Sequence, residues 1–416
     1  MNPYRLPLTG VRVLDLTMVW AGPSGTRLLA DLGAEVIKVE AARSWDMLRS
    51  LHFLGSDVER GYDRSAFFHH NNRNKLACAI DLSLPAGRDL ALRLAALSDV
   101  VVENYRADVL EKLGLGYEAL RSVRPDIILV SMPSHGKTGP QAHHLAYGTN
   151  IEQLAGLAAM TGYPDRGPHK TGISFGDPMA GAMAAAATLM ALVHRRLTGE
   201  GQWIEVAQWE NLIHHVGEFV VAASMGYPSP GPHANDHPSM APHDVFPCAG
   251  EDAWVAIALG SDAEFAALCE VIGRPELARD ERFADVVSRW KRRHELDEPI
   301  SAWTRQRTHY EAAAALQEAG VDAAPVLTIP ELMDDPHLNA RGFWETIAHD
   351  PAGVWRMEGP LWRFSRTPGH VRLPGPNFAE HNDYVFRTLL GLSDVEVDAL
   401  RSEGVIADTP DPAVHA

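Results

Sequence analysis

The sequence predicts an α/β fold built on a parallel β-sheet, and three observations support this fold class. Short β-rich runs alternate with helical stretches through the first half of the chain. Two of these runs, Asp99–Glu103 and Asp126–Met132, are apolar at nearly every position, which is typical of sheets covered on both faces. Glycine or proline marks the ends of several helical stretches.

The chain opens with a β-loop-α-β pattern of about 30 residues, the length of a parallel crossover. Val11–Leu16 is β-rich, Thr17–Ser24 is a loop, Gly25–Leu32 has helical character and Glu35–Glu40 is β-rich. Such units bind ligands at the carboxyl ends of their strands, and Glu40 lies where dinucleotide-binding folds carry a ribose-binding acid. The loop reads AGPSG, however, and lacks the GxGxxG fingerprint. A nicotinamide-dependent oxidoreductase is therefore disfavoured.

Further strands and helices continue the alternation up to a change in composition. The predicted strands are Leu76–Leu82, Asp99–Glu103, Asp126–Met132 and Trp203–Ala207, and the predicted helices are Pro85–Leu97, Met179–Val193 and Trp209–Met225. Between Tyr227 and Pro247 the chain becomes rich in proline and histidine, which indicates a domain boundary and a linker.

Beyond this boundary the sequence predicts a smaller α+β region and then a β-like stretch over Gly342–Pro376. The predicted strands are Trp254–Leu259 and Ala323–Val326, and the predicted helices are Ser261–Ile272, Phe283–Trp303, Tyr310–Ala319, Asp383–Leu390 and Asp394–Glu403.

Composition and charge narrow the functional class. The chain has 416 residues and a formal net charge of -17, which argues against non-specific binding to nucleic acid or to an anionic membrane surface. Its three cysteines form no CxxC pair and its 20 histidines include no HExxH motif, so neither a metal site nor a disulfide framework is indicated. The N-terminus lacks a signal-peptide pattern and Met179–Val193 is too short to span a bilayer, so we expect a cytoplasmic protein.

Asp177 is the candidate catalytic residue. It lies between Gly176 and Pro178, where an alanine-rich helix is predicted to start, and Pro178 suits a first helical turn. Gly176 and Gly181 lack side chains, so we expect a ligand to approach the carboxylate closely. A helix N-terminus favours negative charge, so we expect Asp177 to be ionised at neutral pH and to act as a nucleophile. The alternative is a plain helix N-cap.

The chain also carries a series of longer motifs in a fixed order: PLTGVRVLDLT (Pro7–Thr17), AGP (Ala21–Pro23), LLADLGAEVIKVE (Leu28–Glu40), NRNK (Asn72–Lys75), SDVVVENYR (Ser98–Arg106), LGLGYEAL (Leu113–Leu120), GDPMAG (Gly176–Gly181) and TGEGQWIEVA (Thr198–Ala207). This series resembles the class III CoA-transferases, the formyl-CoA and carnitine CoA-transferase group. The resemblance covers essentially the whole chain and is specific for the superfamily, but much less so for the substrate.

The resemblance implies a large Rossmann-like domain formed by both chain ends, residues 1–225 and 341–416, with a linker and small domain at residues 226–340. It also implies a homodimer of two interlocked subunits. By the same resemblance Asp177 attacks an acyl-CoA thioester, forms a mixed anhydride and then an aspartyl-CoA thioester, and passes CoA to a carboxylic acid. No tightly bound cofactor is implied, because CoA is a substrate.

The resemblance assigns the CoA contacts residue by residue. Positions that match the family's CoA-binding residues are Val19, Trp20, Ala21, Asn74, Lys75, Asn104, Tyr105 and Lys112. A solvated helix position remains open for Lys112, and a turn role remains open for Asn74 and Lys75. Trp20 stands where formyl-CoA transferase has a glutamine, and with Met18 it favours larger or less polar acyl groups.

The sequence departs from the patterns of related enzymes at two places, and two alternative functions remain open. The region Pro238–Gly250 lacks the glycine run of formyl-CoA transferase, which argues against formyl-CoA and oxalate as substrates. The related 2-methylacyl-CoA racemases pair the matching aspartate with a histidine for proton transfer. That histidine aligns with Tyr147, although His143 and His144 are close by. A racemase or epimerase is therefore the main alternative, and a non-catalytic CoA-binding protein is a weaker one.

Overall fold

A computed structural model describes residues 5–51, 60–228 and 230–411. The chain divides into two compact units. The first unit comprises Met1–Met160, Pro168–Pro230 and Gly342–Ala416, and the second comprises Thr161–Gly167 and Gly231–Arg341.

The strands of the described chain are β1 (Arg12–Asp15), β2 (Glu35–Glu40), β3 (Leu76–Ala79), β4 (Val100–Glu103), β5 (Ile128–Ser131), β6 (Trp203–Glu205), β7 (His243–Pro247), β8 (Trp254–Ala258), β9 (Ala323–Val326), β10 (Trp344–His349) and β11 (Gly353–Glu358).

The α-helices are α1 (Ala21–Asp31), α2 (Ala66–Asn72), α3 (Pro85–Ala96), α4 (Val109–Lys112), α5 (Tyr117–Val123), α6 (Gly148–Leu154), α7 (Leu157–Met160), α8 (Gly176–Thr198), α9 (Gln208–His214), α10 (Gly217–Ser224), α11 (Asp262–Val271), α12 (Val286–Lys291), α13 (Asp297–Thr304), α14 (His309–Glu318), α15 (Ile329–Asp334), α16 (Pro336–Ala340) and α17 (Asp394–Ser402).

The first unit is organised around a six-stranded parallel sheet in the order β3-β2-β1-β4-β5-β6. This is the order of doubly wound α/β sheets, in which the chain runs outward in both directions from β1 and β4. Every residue of β4 and β5 is buried. The prediction that the apolar runs form strands covered on both faces is confirmed, because separate cores pack against the two faces.

One core packs α3 and α5 against the sheet, and the other packs α1 and α8 against the opposite face. The two helices α1 and α8 approach closely at Gly25 and Gly181. A Cβ on Gly181 would lie 2.2 Å from Oγ of Ser24 and 2.7 Å from the carbonyl oxygen of Ala21. This contact brings the start of α1 next to the start of α8. The prediction that Gly181 leaves room for a ligand is therefore wrong, since helix packing fills that space.

Three predicted element boundaries differ from the structure. The helix predicted from Gly25 begins at Ala21, because Pro23 fits a first helical turn and the AGPSG segment is helical throughout. The single helix predicted over Trp209–Met225 is two helices, α9 and α10. The helix predicted over Phe283–Trp303 likewise divides into α12 and α13, separated by a turn.

The second unit has a three-stranded antiparallel sheet in the order β7-β8-β9. Its core lies between this sheet and helices α11, α13 and α14. Within the first unit, β10 and β11 form an antiparallel hairpin, and Arg73 pairs with Glu358 at the end of β11 at 2.7 Å. The C-terminal segment also bridges Ile406 to Ile80 beside β3.

Helix α8 is the one described helix long and apolar enough to cross a membrane by length and composition, and 50% of that stretch is buried within the protein.

Candidate active site

A cavity of about 370 Å³ opens in the first unit at the carboxyl ends of β1 and β4. The sheet order reverses between these two strands, which is where open α/β sheets bind ligands. The structure brings six of the predicted site residues together in the cavity wall: Val19, Trp20, Ala21, Asn104, Tyr105 and Asp177. Asn74, Lys75 and Lys112 are not among the lining residues.

Asp177 lies in the first turn of α8, and only 8% of its surface is exposed. The backbone of Ala21, the first residue of α1, faces its carboxylate and acts to lower its pKa. Gly148, the first residue of α6, packs against the same group. A Cβ at position 148 would lie 1.7 Å from Oδ2 of Asp177. The carboxylate is thus held between α1 and α6, at a position where only glycine leaves room for it.

The protonation of Asp177 differs from the prediction. Burial, and secondly the negative charge of Glu152, raises the pKa of Asp177 to about 7, while the Ala21 backbone acts in the opposite direction. The predicted ionised state at neutral pH is therefore only half populated. The helix N-terminus does not outweigh the loss of hydration, because its effect is of the order of 1 kcal/mol and burial of a carboxylate costs more.

Gly176 also serves packing instead of ligand approach. A Cβ at this position would lie 3.1 Å from Cδ2 of Leu212 in α9. Together with the contact at Gly181, this distance shows that the two glycines flanking Asp177 allow α8 to pack closely against α9 and α1. The residue that gives the carboxylate its space is Gly148, which the sequence analysis did not single out. Its signal in the sequence is a single glycine, which is too common a feature to identify a site.

The loop Thr17–Trp20 forms one wall of the cavity and is held from two sides. Asn104 accepts a hydrogen bond from the Met18 N–H at 2.9 Å and donates one to the Met18 carbonyl at 2.7 Å. Val19 has a φ of 66°, a left-handed conformation that strains a β-branched residue. Its N–H donates to Oδ1 of Asp46 at 3.0 Å. Asn104 therefore contributes to the site by fixing the loop.

A buried charge network lies behind this loop. Lys38 pairs with Asp46 at 2.8 Å, and its Nζ also donates to the Thr17 carbonyl at 2.8 Å. Both side chains of the ion pair have no exposed surface. Glu40 is buried as well and accepts hydrogen bonds from Arg49. Because Glu40 is paired in this way, it is not free to bind a ribose, in agreement with the missing dinucleotide fingerprint.

Asn74 and Lys75, which are predicted to contact CoA, are bonded to other parts of the chain. Lys75 is fully buried, pairs with Asp15 at 3.0 Å and donates to Oγ1 of Thr26 at 2.7 Å. Burial lowers the pKa of Lys75 to about 8. Asn74 donates to Oδ1 of Asp31 at 2.7 Å and accepts from the backbone of the C-terminal segment. Both residues therefore lie in the interior of the protein. Through Asn74, the NRNK motif connects α1 with the C-terminal segment.

The other residues predicted to contact CoA, Trp20, Tyr105 and Lys112, lie in three different environments. Trp20 meets Phe67 edge to face with ring centroids 4.9 Å apart, and its buried Nε1 has no hydrogen-bond partner within the described part of the chain. The Tyr105 ring packs against the core, and burial raises the pKa of its hydroxyl. Lys112 is exposed at the end of α4, outside the cavity wall. The solvated position considered for Lys112 thus matches its environment.

The histidines considered for a racemase do not line the cavity. His143 is exposed and lies 3.5 Å from Asp108, and the His144 ring contacts the ring of His135. Tyr147, which occupies the position of the racemase histidine, lines the cavity and is 52% exposed. Among the cavity-lining residues Asp177 is therefore the one carboxylate, and none is a histidine.

Comparisons with known proteins identify the family of this chain. A family model described as CoA-transferase family III matches residues 8–382. The succinyl-CoA–D-citramalate CoA-transferase of Chloroflexus aurantiacus is 36% identical over 403 residues, covering 96% of this chain and 98% of that protein. The succinate–glutarate CoA-transferase of Agrobacterium fabrum is 34% identical over 389 residues, covering 92% and 96%. The crystal structure of a CAIB/BAIF family protein from Brucella suis has a TM-score of 0.84 and 34% identity, covering 92% of this chain and 100% of that one.

Proposed function

Because the chain belongs to CoA-transferase family III, it is a CoA-transferase, and we propose that Asp177 carries CoA from donor to acceptor as a covalent thioester. The observation that carries the proposal is the placement of this carboxylate. It lies in the cavity wall at the carboxyl ends of the strands, next to the backbone of Ala21 and in a poorly hydrated setting. A carboxylate with little hydration is a stronger nucleophile than one in water.

The reaction then runs through two kinds of intermediate on Asp177. The ionised carboxylate attacks the thioester carbonyl of the donor, the C–S bond breaks, and a mixed anhydride and a CoA thiolate result. The thiolate attacks Cγ of Asp177, so that the donor leaves as a free carboxylate and an aspartyl-CoA thioester remains. The acceptor carboxylate reverses both steps, and Asp177 returns to its ionised form. The backbone of Ala21 supports the oxygen on which negative charge develops.

The substrates that we propose are short-chain acyl-CoA esters and carboxylic acids, with dicarboxylic acids as the first class to test, in place of the larger or less polar acyl groups expected from Trp20 and Met18. Relatives of this chain are named for succinyl-CoA, D-citramalate, succinate and glutarate. Arg106 lines the cavity, is exposed and pairs with no acidic side chain among the described residues. It is therefore a cation available to the second carboxylate of such a substrate. Transfer rates from succinyl-CoA to matched mono- and dicarboxylic acids, measured by mass spectrometry, test this choice.

The nucleophile is tested by replacing Asp177 and by trapping. We expect Asp177→Ala to fold and to lose CoA transfer, and we expect hydroxylamine added during turnover to modify the peptide that contains Asp177. Turnover by the alanine variant contradicts the proposal. Exchange of the substrate α-proton with deuterium, in the absence of an acceptor acid, points instead to the racemase alternative.

We further propose that the protein is the interlocked homodimer implied by the sequence resemblance. Large apolar side chains are exposed on α8 and on the segment Gly217–Met225, which supports an interface there: Met190, Val193, Leu197, Val220, Val221 and Met225. Exposed apolar surface of this kind is typical of a covered interface. Light scattering coupled to size-exclusion chromatography gives the mass, and we expect twice the monomer value.

A further inference from the structure

A second carboxylate, that of Glu152 in α6, is buried next to the turn that leads into α8. It has no exposed surface. The backbone N–H of Phe175 donates to Oε1 of Glu152 at 2.5 Å, and the Thr171 hydroxyl oxygen, which also contacts the Ile173 carbonyl, lies 2.8 Å from the same oxygen. The Thr171 N–H donates to Oε2 at 3.1 Å. Both ends of the turn Thr171–Phe175 thus contact a single side chain from another helix.

These contacts act at the start of α8, which has no side-chain cap. Phe175 is the N-cap residue of α8, and no side-chain hydrogen bond caps the helix from that position. The free N–H groups of a helix start are normally bonded by a residue at the N-cap. Here Glu152 bonds the Phe175 N–H from outside the helix, two residues before Asp177.

The charge of Glu152 is not balanced by a cation. It contacts Thr171 and the backbone N–H of Phe175, and no Lys, Arg or His pairs with it in the described ranges 5–51, 60–228 and 230–411. Most buried charges are paired, so an unpaired carboxylate beside a second carboxylate is unusual. Such an arrangement is typical of functional sites rather than of interiors.

We infer that Glu152 is a positioning residue for Asp177, which fixes the turn in front of the nucleophile and places a second carboxyl group near it. This inference rests on the proposed role of Asp177. The negative charge of Glu152 opposes the free carboxylate form of Asp177 but not its anhydride or thioester, which are neutral. Glu152 therefore favours the covalent intermediates over the unmodified enzyme, and it makes the free carboxylate a stronger nucleophile.

The other groups that face Asp177 do not supply this charge. From α1 the contact is the neutral backbone of Ala21, and from α9 the cavity is lined by the neutral Gln208. Tyr147, immediately before α6, is the remaining titratable side chain near the start of that helix in the cavity wall. Glu152 is the charged side chain that, together with burial, raises the pKa of Asp177.

The test compares Glu152→Gln with Glu210→Gln, which removes a charge from an exposed position of the neighbouring helix α9. The pH dependence of kcat/KM and the fraction of enzyme trapped as aspartyl-CoA thioester are measured for each. For Glu152→Gln we expect the acidic limb of the profile to move to lower pH by roughly one unit. We also expect the trapped fraction to fall several-fold. Glu210→Gln should match the wild type, and an unchanged profile and trapped fraction in Glu152→Gln overturn the inference.

A second variant tests the position of the Glu152 carboxylate separately from its charge. It also provides a test if Glu152→Gln does not fold. Glu152→Asp keeps the charge but shortens the side chain, so it cannot reach the Phe175 N–H and the Thr171 hydroxyl together. We expect kcat to fall at least tenfold while the acidic limb stays close to its wild-type position. Wild-type kcat and KM in this variant also overturn the inference. Activity in Asp177→Ala, by contrast, contradicts the proposed function itself.

Discussion

Gly148 is the position at which a single methyl group should disable the enzyme while leaving it folded. In Gly148→Ala the new Cβ would lie 1.7 Å from Oδ2 of Asp177 and 2.6 Å from Cβ of Ser174. Since real Cβ atoms essentially never approach within 3.0 Å of another heavy atom, the carboxylate oxygen must move by more than about 1 Å. A misplacement of about 1 Å at a reacting group lowers the rate about 100-fold.

We expect kcat of Gly148→Ala to fall about 100-fold in a succinyl-CoA transfer assay, and less hydroxylamine adduct to form at Asp177. The free energy of unfolding should fall by only about 1–3 kcal/mol, the usual cost of an extra methyl group in a packed site. The matched control is Gly217→Ala, because Gly217 also begins a helix but has no heavy atom within 4 Å of a built Cβ. A kcat in Gly148→Ala within twofold of the control refutes the assignment of this space to Asp177.

Two further predictions concern charge. The pKa of Asp177 is about 7 in the folded protein, above the ordinary aspartate value of 3.8. The folded state therefore holds the proton more tightly than the unfolded chain does, and the free energy of unfolding falls as the pH rises from about 4 to 7. Asp177→Asn removes the cost of ionising a buried carboxyl group. Chemical denaturation at pH 8 should therefore show the variant to be more stable than the wild type by up to about 4 kcal/mol. Equal stabilities at pH 8 contradict the raised pKa. Lys75→Met leaves Asp15 without its ion-pair partner, so we expect a loss of about 3–5 kcal/mol in the free energy of unfolding. If Lys75→Met instead keeps its stability and raises the KM for acyl-CoA, the assignment of Lys75 to the interior is wrong.

The features that sequence analysis predicted well are those encoded locally. The apolar runs at β4 and β5 identify buried strands because nearly every residue is aliphatic, and the helix at Asp177 follows from its alanines. The order of motifs identifies the family, which the comparisons confirm. Five of the six residues of the cavity wall come together because the carboxyl ends of parallel strands share one edge of the sheet, and Asp177 joins them through the packing of α8 against α1.

What the sequence did not reveal depends on contacts between distant segments. The protonation of Asp177 is set by burial and by Glu152, and neither is visible from the GDPMAG motif. The roles of Gly181 and Lys75 depend on α1, which lies far from either residue in the chain. A glycine or a lysine in a motif can serve a ligand or a neighbouring helix equally well, and only the three-dimensional contact decides between them.

The wall formed by Met18, Val19 and Trp20 has a consequence for attempts to change which acids the enzyme accepts. Its backbone is anchored by Asn104 and by the Lys38–Asp46 pair, whose charges lie wholly in the interior. Widening the pocket by moving this segment would take a hydrogen-bond partner from each of these two buried charges, with no water to replace it. Redesign for bulkier acyl groups should therefore trim side chains such as the Trp20 indole and leave the main chain where it is.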